Sequence, residues 1–469
     1  MSNGLTEGEI KALTAAFEHA IAYRQGIPDR PVPPRIGLDE AVARFRIPLT
    51  EEGQREEDVI AEIIRDADDG LSQMCSGNYY GFVLGGSHPV GVAADMMVSA
   101  WGQNCGSSYE TPAMTGMERA VCDWVIDLLG LPEESGAGIV TGATVANTEG
   151  IMAARHKLLD QQGWDVEQDG LFGAPEIPVL IGEAAHSAPF AALRYAGLGA
   201  GRVEKVETDA EGRIKVEAFM SALQVCKGPP LAILQAGQIN SGAFDCFSEI
   251  ISAVHERGGW VHVDGAFGLW LAAVPELAER LKGVELADSW AVDLHKWMNA
   301  PFDAGMVIVR ERSPLVASMS ARGAYLPETT SHWEPTDSTF ELSRRARGIP
   351  SYAILRHLGR SGIRDLVSRH CRLAREIAGK LSVEPGLHVL NEVASNQVVL
   401  VCGNGDQSDR LTQKVLELVQ KNGKAYPTHG EWQGRFIIRI SVICYATMDA
   451  NADILVSEII SAWHKVQES

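Results

Sequence analysis

Residues 288–297 read DSWAVDLHKW and place a short apolar run directly before a lysine. The run at 289–292 is brief and continuous, as in a β-strand that is buried on both faces. Similar runs, separated by amphipathic stretches, lie at 178–181, 231–234, 260–263 and 306–309. This alternation predicts an α/β fold with a mostly parallel sheet. The runs at 289–292 and 306–309 are too close for a helix between them, so we expect one antiparallel pair.

The chain has 469 residues, of which 45% are hydrophobic and 22% are charged, as in a globular protein with two or three domains. We predict an N-terminal helical segment at 1–85 that packs on another part of the protein or on a second subunit. A large α/β domain is predicted at 86–349 and a small α+β domain at 350–469.

The composition also bears on partners and location. A net charge of −20 argues against a nucleic-acid or anionic-membrane partner. No apolar run is long enough to span a membrane, and the N-terminus has no signal-peptide pattern. The eight cysteines form no CxxC motif and indicate reduced thiols. These observations predict a cytoplasmic protein.

Four candidate functional positions each follow a different predicted strand. Lys296 follows 289–292, Asp264 follows 260–263, His186 follows 178–181, and the turn TGATVAN at 141–147 precedes a helical stretch. In α/β sheets, ligands bind beyond the carboxyl ends of the strands. Each position also has an ordinary alternative: a surface lysine, an aspartate that caps a helix, a structural histidine and a turn without a ligand.

Together the four positions meet the needs of pyridoxal 5'-phosphate (PLP). This cofactor requires a lysine amine and a carboxylate for its ring nitrogen. A histidine can stack on the ring, and small residues at a helix start can bind the phosphate. Competing motifs are absent from the sequence: there is no P-loop, GxSxG, complete dinucleotide fingerprint, HExxH or Cys/His array. We therefore expect PLP and no metal.

The chain resembles the group II PLP-dependent decarboxylases, which include aromatic amino acid, glutamate and histidine decarboxylases. The resemblance runs over nearly the whole chain and is carried by YYGF at 79–82, GGSHP at 85–89, TGATVAN at 141–147, EAAHS at 183–187, NSGAFD at 240–245, HVDGAF at 262–267, DSWAVDLHKW at 288–297 and LSRRARG at 342–348. It implies the fold type I, aspartate aminotransferase-like architecture. It also implies a homodimer in which residues near 79–105 contribute to the partner's site.

The resemblance further implies roles for individual residues. Lys296 would form the Schiff base, Asp264 would bind the pyridine nitrogen, and His186 would stack on one face of the ring. The remaining implied cofactor contacts are Ala266 on the other ring face and Ala143, Thr144, Asn147 and His295 near the phosphate.

Substrate contacts are predicted in the same way. Arg439 resembles the arginine that binds the substrate α-carboxylate, and its alternative is a surface arginine on a strand. An apolar side-chain pocket could be lined by Tyr79, Tyr80, Phe82 and Trp101, which favours an aromatic or bulky amino acid. The alternative is that these aromatic residues are core or dimer contacts.

The expected reaction is decarboxylation of an L-amino acid to the amine and CO2. One departure from the family concerns a loop tyrosine, because residues 326–343 contain none, and Tyr325, His332 or Ser338 are possible replacements. Another is Gly237-Gln238-Ile239, where relatives often have Gly-Thr-Thr. The alternatives are therefore an aldehyde synthase, an aldolase or an aminotransferase on the same scaffold. A catalytically silent binding or scaffold protein is a third possibility.

Overall fold

The computed structural model describes residues 4–320 and 334–468. Its α-helices are α1 (Glu7–Gly26), α2 (Leu38–Phe45), α3 (Glu56–Ala67), α4 (Pro89–Trp101), α5 (Pro112–Leu128), α6 (Ala143–Asp160), α7 (Val166–Asp169), α8 (Ser187–Tyr195), α9 (Val216–Val225), α10 (Phe247–Glu256), α11 (Pro275–Ala278), α12 (Arg312–Met319), α13 (Gly348–Ser382), α14 (Ser408–Asn422) and α15 (Asp449–Gln467). Its strands are β1 (Gly136–Val140), β2 (Val179–Gly182), β3 (Glu204–Val206), β4 (Leu231–Gln235), β5 (Trp260–Asp264), β6 (Ser289–Asp293), β7 (Gly305–Val309), β8 (Leu387–Val389), β9 (Gln397–Cys402), β10 (Thr428–Trp432) and β11 (Arg435–Ser441).

The larger sheet has seven strands in the order β1-β7-β6-β5-β4-β2-β3. Strands β3, β2, β4, β5 and β6 pair in parallel, whereas β7 runs antiparallel to both β6 and β1. The predicted antiparallel pair is therefore confirmed. All strands of this sheet except β3 are buried along their whole length, which explains their continuous apolar runs.

The strand directions bring the candidate positions to one edge of this sheet. Strand β5 ends at Asp264 and β6 ends at Asp293, three residues before Lys296. The turn after β2 leads to His186, which caps the N-terminus of α8. Because β1 runs in the same direction as β6, the turn that follows β1 and opens α6 lies at the same edge.

The second sheet is antiparallel, with the order β10-β11-β9-β8. It packs with α14, α15 and the second half of α13 in a separate hydrophobic cluster. Helix α13 is kinked at Gly359, whose φ of 60° is in the left-handed region that favours glycine. Residues of α13 from Ile354 to Cys371 instead join the core of the large sheet. The predicted boundaries at 85 and 349 stay predictions.

The three N-terminal helices have an unusual surface. No residue of α1, α2 or α3 is buried. Their exposed apolar side chains include Ile10, Leu13, Phe17, Ile21, Leu38, Val42, Phe45, Val59 and Ile63. The end of α1 is held by Arg24, which donates hydrogen bonds to the Ser87 carbonyl and the Tyr445 hydroxyl. Among the helices of residues 4–320 and 334–468, none has the length and apolar character needed to cross a membrane.

Candidate active site

Lys296 lies in a tight turn after β6. Its Nζ is 3.0 Å from Oδ2 of Asp293. The turn is closed by Asn299, whose N–H donates to the Lys296 carbonyl and whose φ is 55°. A Cβ at position 85 would lie 1.9 Å from the Lys296 carbonyl oxygen, so only glycine fits there. The segment that contains Gly85 therefore packs directly against the lysine turn.

Asn299 connects this turn to two other segments. Its backbone carbonyl accepts a hydrogen bond from the His88 N–H at 2.8 Å. Its side chain donates to the carbonyl of Ile443 and accepts from the N–H of Tyr445. These contacts fix the lysine turn relative to the chain just after β11. Sequence reasoning missed Asn299, because its partners lie far away in the chain.

Asp264 is a buried carboxyl with few partners. It is 7% exposed, and its Oδ1 accepts a hydrogen bond from the Ala266 N–H at 3.2 Å. Burial raises the pKa of Asp264, and the nearby charges of His186 and Lys296 oppose this effect. A buried carboxylate is costly unless a cation meets it. The site therefore suits a cationic partner for Asp264.

His186 has a defined tautomer. Its Nδ1 accepts a hydrogen bond from the Ala188 N–H at 3.2 Å, so the neutral ring carries its proton on Nε2. Its backbone N–H donates to the Gln235 side chain. Burial lowers the pKa of His186, and the charges that act on it are those of Asp264, Lys296, Arg439 and Asp293. The charges of these four groups, which come from three parts of the sequence, thus act on one imidazole.

The N-terminus of α6 offers backbone donors and a positive dipole end. Thr144 is exposed there, whereas Ala143 is buried and its N–H donates to Oδ1 of Asp293 at 2.6 Å. The Nδ1 of His295 accepts from the Ala304 N–H at 3.2 Å, and burial lowers the pKa of His295. The structure thus brings Ala143, Thr144 and His295 together near Lys296.

The structure places Asn147 away from the N-terminus of α6. Asn147 is fully buried one turn further along the helix, and its Oδ1 is 2.8 Å from Nε2 of His262. The other ring nitrogen of His262 bonds to Ser289 at 2.8 Å. Our expectation that Asn147 faces the phosphate is corrected, because helical periodicity turns this side chain inward against the sheet.

Arg439 is a half-buried cation on β11. Its Nε is buried and has no hydrogen-bond partner among the described residues. Burial lowers the pKa of Arg439. Its strand neighbour on β10 is Thr428, whose Oγ1 accepts a hydrogen bond from the Phe82 N–H at 3.4 Å. A guanidinium in this position can bind a carboxylate.

The four aromatic candidates for the substrate pocket divide into two groups. Tyr79 stacks on Tyr426 and is 1% exposed, and Tyr80 is fully buried in the cluster around the second sheet. Burial raises the pKa of both tyrosines. These two therefore fit the core alternative, because their side chains have no open face, whereas Phe82 and Trp101 are 48% and 43% exposed.

The candidates for the loop tyrosine also differ in placement. Tyr325 and His332 lie outside the described residues. Ser338 is 1% exposed, and its hydroxyl donates to the Glu334 carbonyl. In the Gly237-Gln238-Ile239 segment, the Gln238 amide accepts from the N–H groups of Asn240 and Ser241 and donates to the Ala184 carbonyl. Gln238 therefore has a structural role beside the His186 turn.

The donor set fits PLP. The site combines a lysine amine, a buried carboxyl that needs a cation, a neutral histidine and a helix N-terminus, at one edge of the sheet. Ala266 lies two residues after Asp264 and adds little bulk. The sequence reasoning overlooked Asp293, which contacts both Lys296 and Ala143. The sequence did contain one indication of its importance, namely a carboxylate at the end of a buried strand.

Comparisons with known proteins identify the family of this chain. Residues 44–403 match the family model of the pyridoxal-dependent decarboxylase conserved domain. The aromatic-L-amino-acid decarboxylase of Rattus norvegicus is 25% identical, and the alignment covers 95% of this chain and 94% of the relative. The chain therefore belongs to the pyridoxal-dependent decarboxylase family. It is a PLP-dependent carboxy-lyase.

Solved structures support the same architecture. The structure of Oryza sativa TDC with PLP and tryptamine superposes with a TM-score of 0.89 at 21% identity, covering 100% of this chain and 99% of that one. The structure of Rhodiola rosea 4-hydroxyphenylacetaldehyde synthase has a TM-score of 0.87 at 20% identity and covers 99% of both chains. At these identities the likeness concerns the fold, and it confirms the predicted fold type I architecture.

Proposed function

We propose that this enzyme decarboxylates an aromatic or bulky L-amino acid to the amine and CO2, with Lys296 as the residue that binds PLP covalently. The observation that carries this proposal is that His186, Asp264 and Lys296 follow three parallel strands at one edge of the sheet, where the charge of Arg439 also acts on His186. When bound, PLP supplies a protonated ring that accepts the electrons of the bond that breaks. The protein's own residues provide the charge and orientation that this chemistry needs.

Each residue has a distinct role in the proposal. The Asp264 carboxylate would hold the cationic ring nitrogen, and because it is fixed in place it would need no rearrangement during the reaction. The His186 imidazole would contact the ring and presents its Nε2–H to the site. The Arg439 guanidinium binds the α-carboxylate and orients it, and Lys296 provides the amine.

Support for an aromatic or bulky substrate comes from position 82. The Phe82 ring is half-exposed, and its backbone is tied to Thr428, the strand neighbour of Arg439. An apolar side chain can thus contact Phe82 while its carboxylate binds Arg439. The named activity of the Rattus norvegicus relative agrees with this preference.

The test is a panel of L-amino acids incubated with the holoenzyme, with CO2 and amine measured together. We expect stoichiometric amine and CO2 for at least one aromatic substrate. Turnover of small or acidic amino acids alone would overturn the aromatic preference. Absence of both products for every substrate would overturn the proposed reaction.

An aldehyde synthase is the second candidate function. The absence of a tyrosine at residues 326–343 favours it, and the comparisons include a 4-hydroxyphenylacetaldehyde synthase. Measuring amine, aldehyde and ammonia in the same assay separates the two reactions. Amine equal to CO2 supports simple decarboxylation, whereas aldehyde and ammonia equal to CO2, with O2 consumed as the oxidant and reduced to H2O2, support the alternative.

We further propose that the enzyme is a cytoplasmic homodimer. The apolar side chains exposed on α1, α2 and α3 would be covered by a second copy, since exposed apolar surface of this extent marks interaction sites. Light scattering is expected to give twice the mass of one chain, and a fully active monomer would contradict this. Cell fractionation tests the location, with the enzyme expected in the cytosolic fraction.

A further inference from the structure

Asp293 joins two groups of the proposed cofactor site. It is the last residue of β6 and is 2% exposed. Its Oδ1 accepts the Ala143 N–H at the start of α6, at 2.6 Å, and its Oδ2 lies 3.0 Å from the Lys296 Nζ. One carboxylate therefore contacts both the helix N-terminus and the reactive amine.

The charge of Asp293 disfavours both events that would fix PLP at this site. A phosphate bound at the N-terminus of α6 would lie near a carboxylate of the same sign, and like charges repel strongly where water is excluded. The carboxylate also holds the Lys296 Nζ at 3.0 Å, and this contact must break before the amine can bond to an aldehyde. Both effects weaken the binding of PLP.

The other titratable groups at this site do not compensate for that charge. His295 lies 3.5 Å from Asp293, but burial lowers its pKa and keeps its ring neutral. His186 is neutral for the same reason. Asp264 adds a second carboxyl, the charge of Asp303 acts on His295, and the charge of Arg439 acts on His186. In the described part of the chain, Lys296 is the cation that contacts Asp293.

We propose that Asp293 is a positioning residue that weakens cofactor binding, so that the fraction of active enzyme follows the concentration of free PLP. This rests on the proposed roles of Lys296 and the α6 N-terminus. Asn is the matched neutral replacement, because its side-chain oxygen can still accept the Ala143 N–H. The change D293N therefore removes the charge while retaining the hydrogen bond.

The test measures dissociation constants by fluorescence titration of the cofactor-free protein. D293N is expected to bind PLP at least about tenfold more tightly than the wild type. Pyridoxine 5'-phosphate, which has no aldehyde, isolates the phosphate effect, and pyridoxal, which has no phosphate, isolates the lysine effect. D293N should bind both probes more tightly. D293S, a second neutral variant, should behave in the same way.

The control is D288N, which makes the same substitution just before the opposite end of β6, where Asp288 contacts His255. It should leave PLP affinity within about twofold of the wild type. Equal or weaker PLP binding by D293N and D293S would overturn the inference, as would equal tightening in D288N. If the wild type forms no covalent link with PLP, the proposed site itself fails, which is a distinguishable result.

Discussion

The Nδ1 atom of His186 accepts a hydrogen bond from the backbone N–H of Ala188 at 3.2 Å. This bond fixes the ring at the start of α8 and leaves the Nε2–H available to the site. A protonated ring would lose the bond, because Nδ1 would then be a donor. The neutral form is favoured further by burial, which lowers the pKa of His186.

We expect H186Q to lower kcat by about a hundredfold, the range of acid–base and stacking groups in active sites. Because the pKa of His186 is lowered, wild-type activity should stay constant around pH 7 and fall only on the acid side of pH 6.5. The matched control is H255Q, since the His255 ring lies outside the site beside Asp288. A kcat for H186Q within twofold of the wild type would contradict the role.

R439Q should raise KM about thirtyfold, because a charge-assisted hydrogen bond to a carboxylate contributes about 2 kcal/mol. The visible absorbance of bound PLP should not change. R435Q is the control on the same strand, where Arg435 donates to the Ser408 hydroxyl. An unchanged KM for R439Q, or an equal rise in R435Q, would remove Arg439 from the substrate site.

F82A should reduce kcat/KM for aromatic substrates by about tenfold, the usual effect of removing an apolar contact of 1–2 kcal/mol. Substrates with small side chains should be affected less, because they do not reach the Phe82 ring. F172A is the control, since Phe172 is 99% exposed. Equal losses for all substrates would show that Phe82 acts through folding and not through specificity.

The buried pair of His262 and Asn147 predicts a pH effect on stability. Burial lowers the pKa of His262 from 6.5 to about 3, so below pH 6.5 the unfolded chain binds a proton that the folded chain does not. The wild type therefore loses up to about 1.4 kcal/mol of unfolding free energy per pH unit from this group as the pH falls.

H262Q tests this effect by urea unfolding at several pH values. At pH 7 the variant should be less stable by about 2 kcal/mol, because it loses hydrogen bonds to Asn147 and Ser289. The difference from the wild type should shrink as the pH falls below 6.5, vanish near about pH 5 and change sign at lower pH. A difference that stays constant over this range would contradict the lowered pKa.

Much of the fold could be predicted from the sequence because buried strands impose a visible pattern. The run at 289–292 is apolar throughout since β6 is covered on both faces, and the short spacing to 306–309 required an antiparallel neighbour. The positions of Lys296, Asp264 and His186 after three strands followed from the same pattern. Parallel pairing then brings the ends of these strands to one edge.

Other features depend on contacts that the sequence does not display. Tyr80 was predicted to line the substrate pocket, but it is buried in the cluster around the second sheet. The backbone of Tyr426 forms hydrogen bonds with Asn78 and Tyr80, and these bonds direct the chain into that cluster. The Asn147 side chain points inward to His262, because its position along α6 places it on the helix face that packs against the sheet. Asp293 and Asn299 gained their importance from partners that are distant in the chain, such as Ala143 and Ile443.

The central claim is that Lys296 binds PLP covalently beside Asp264. Reduction of the holoenzyme with borohydride, followed by proteolysis and mass spectrometry, tests it most directly. We predict that the peptide containing Lys296 carries the reduced cofactor, one per chain, and that K296A carries none. Cofactor attached to a different lysine, or a wild type that traps none, would contradict the account.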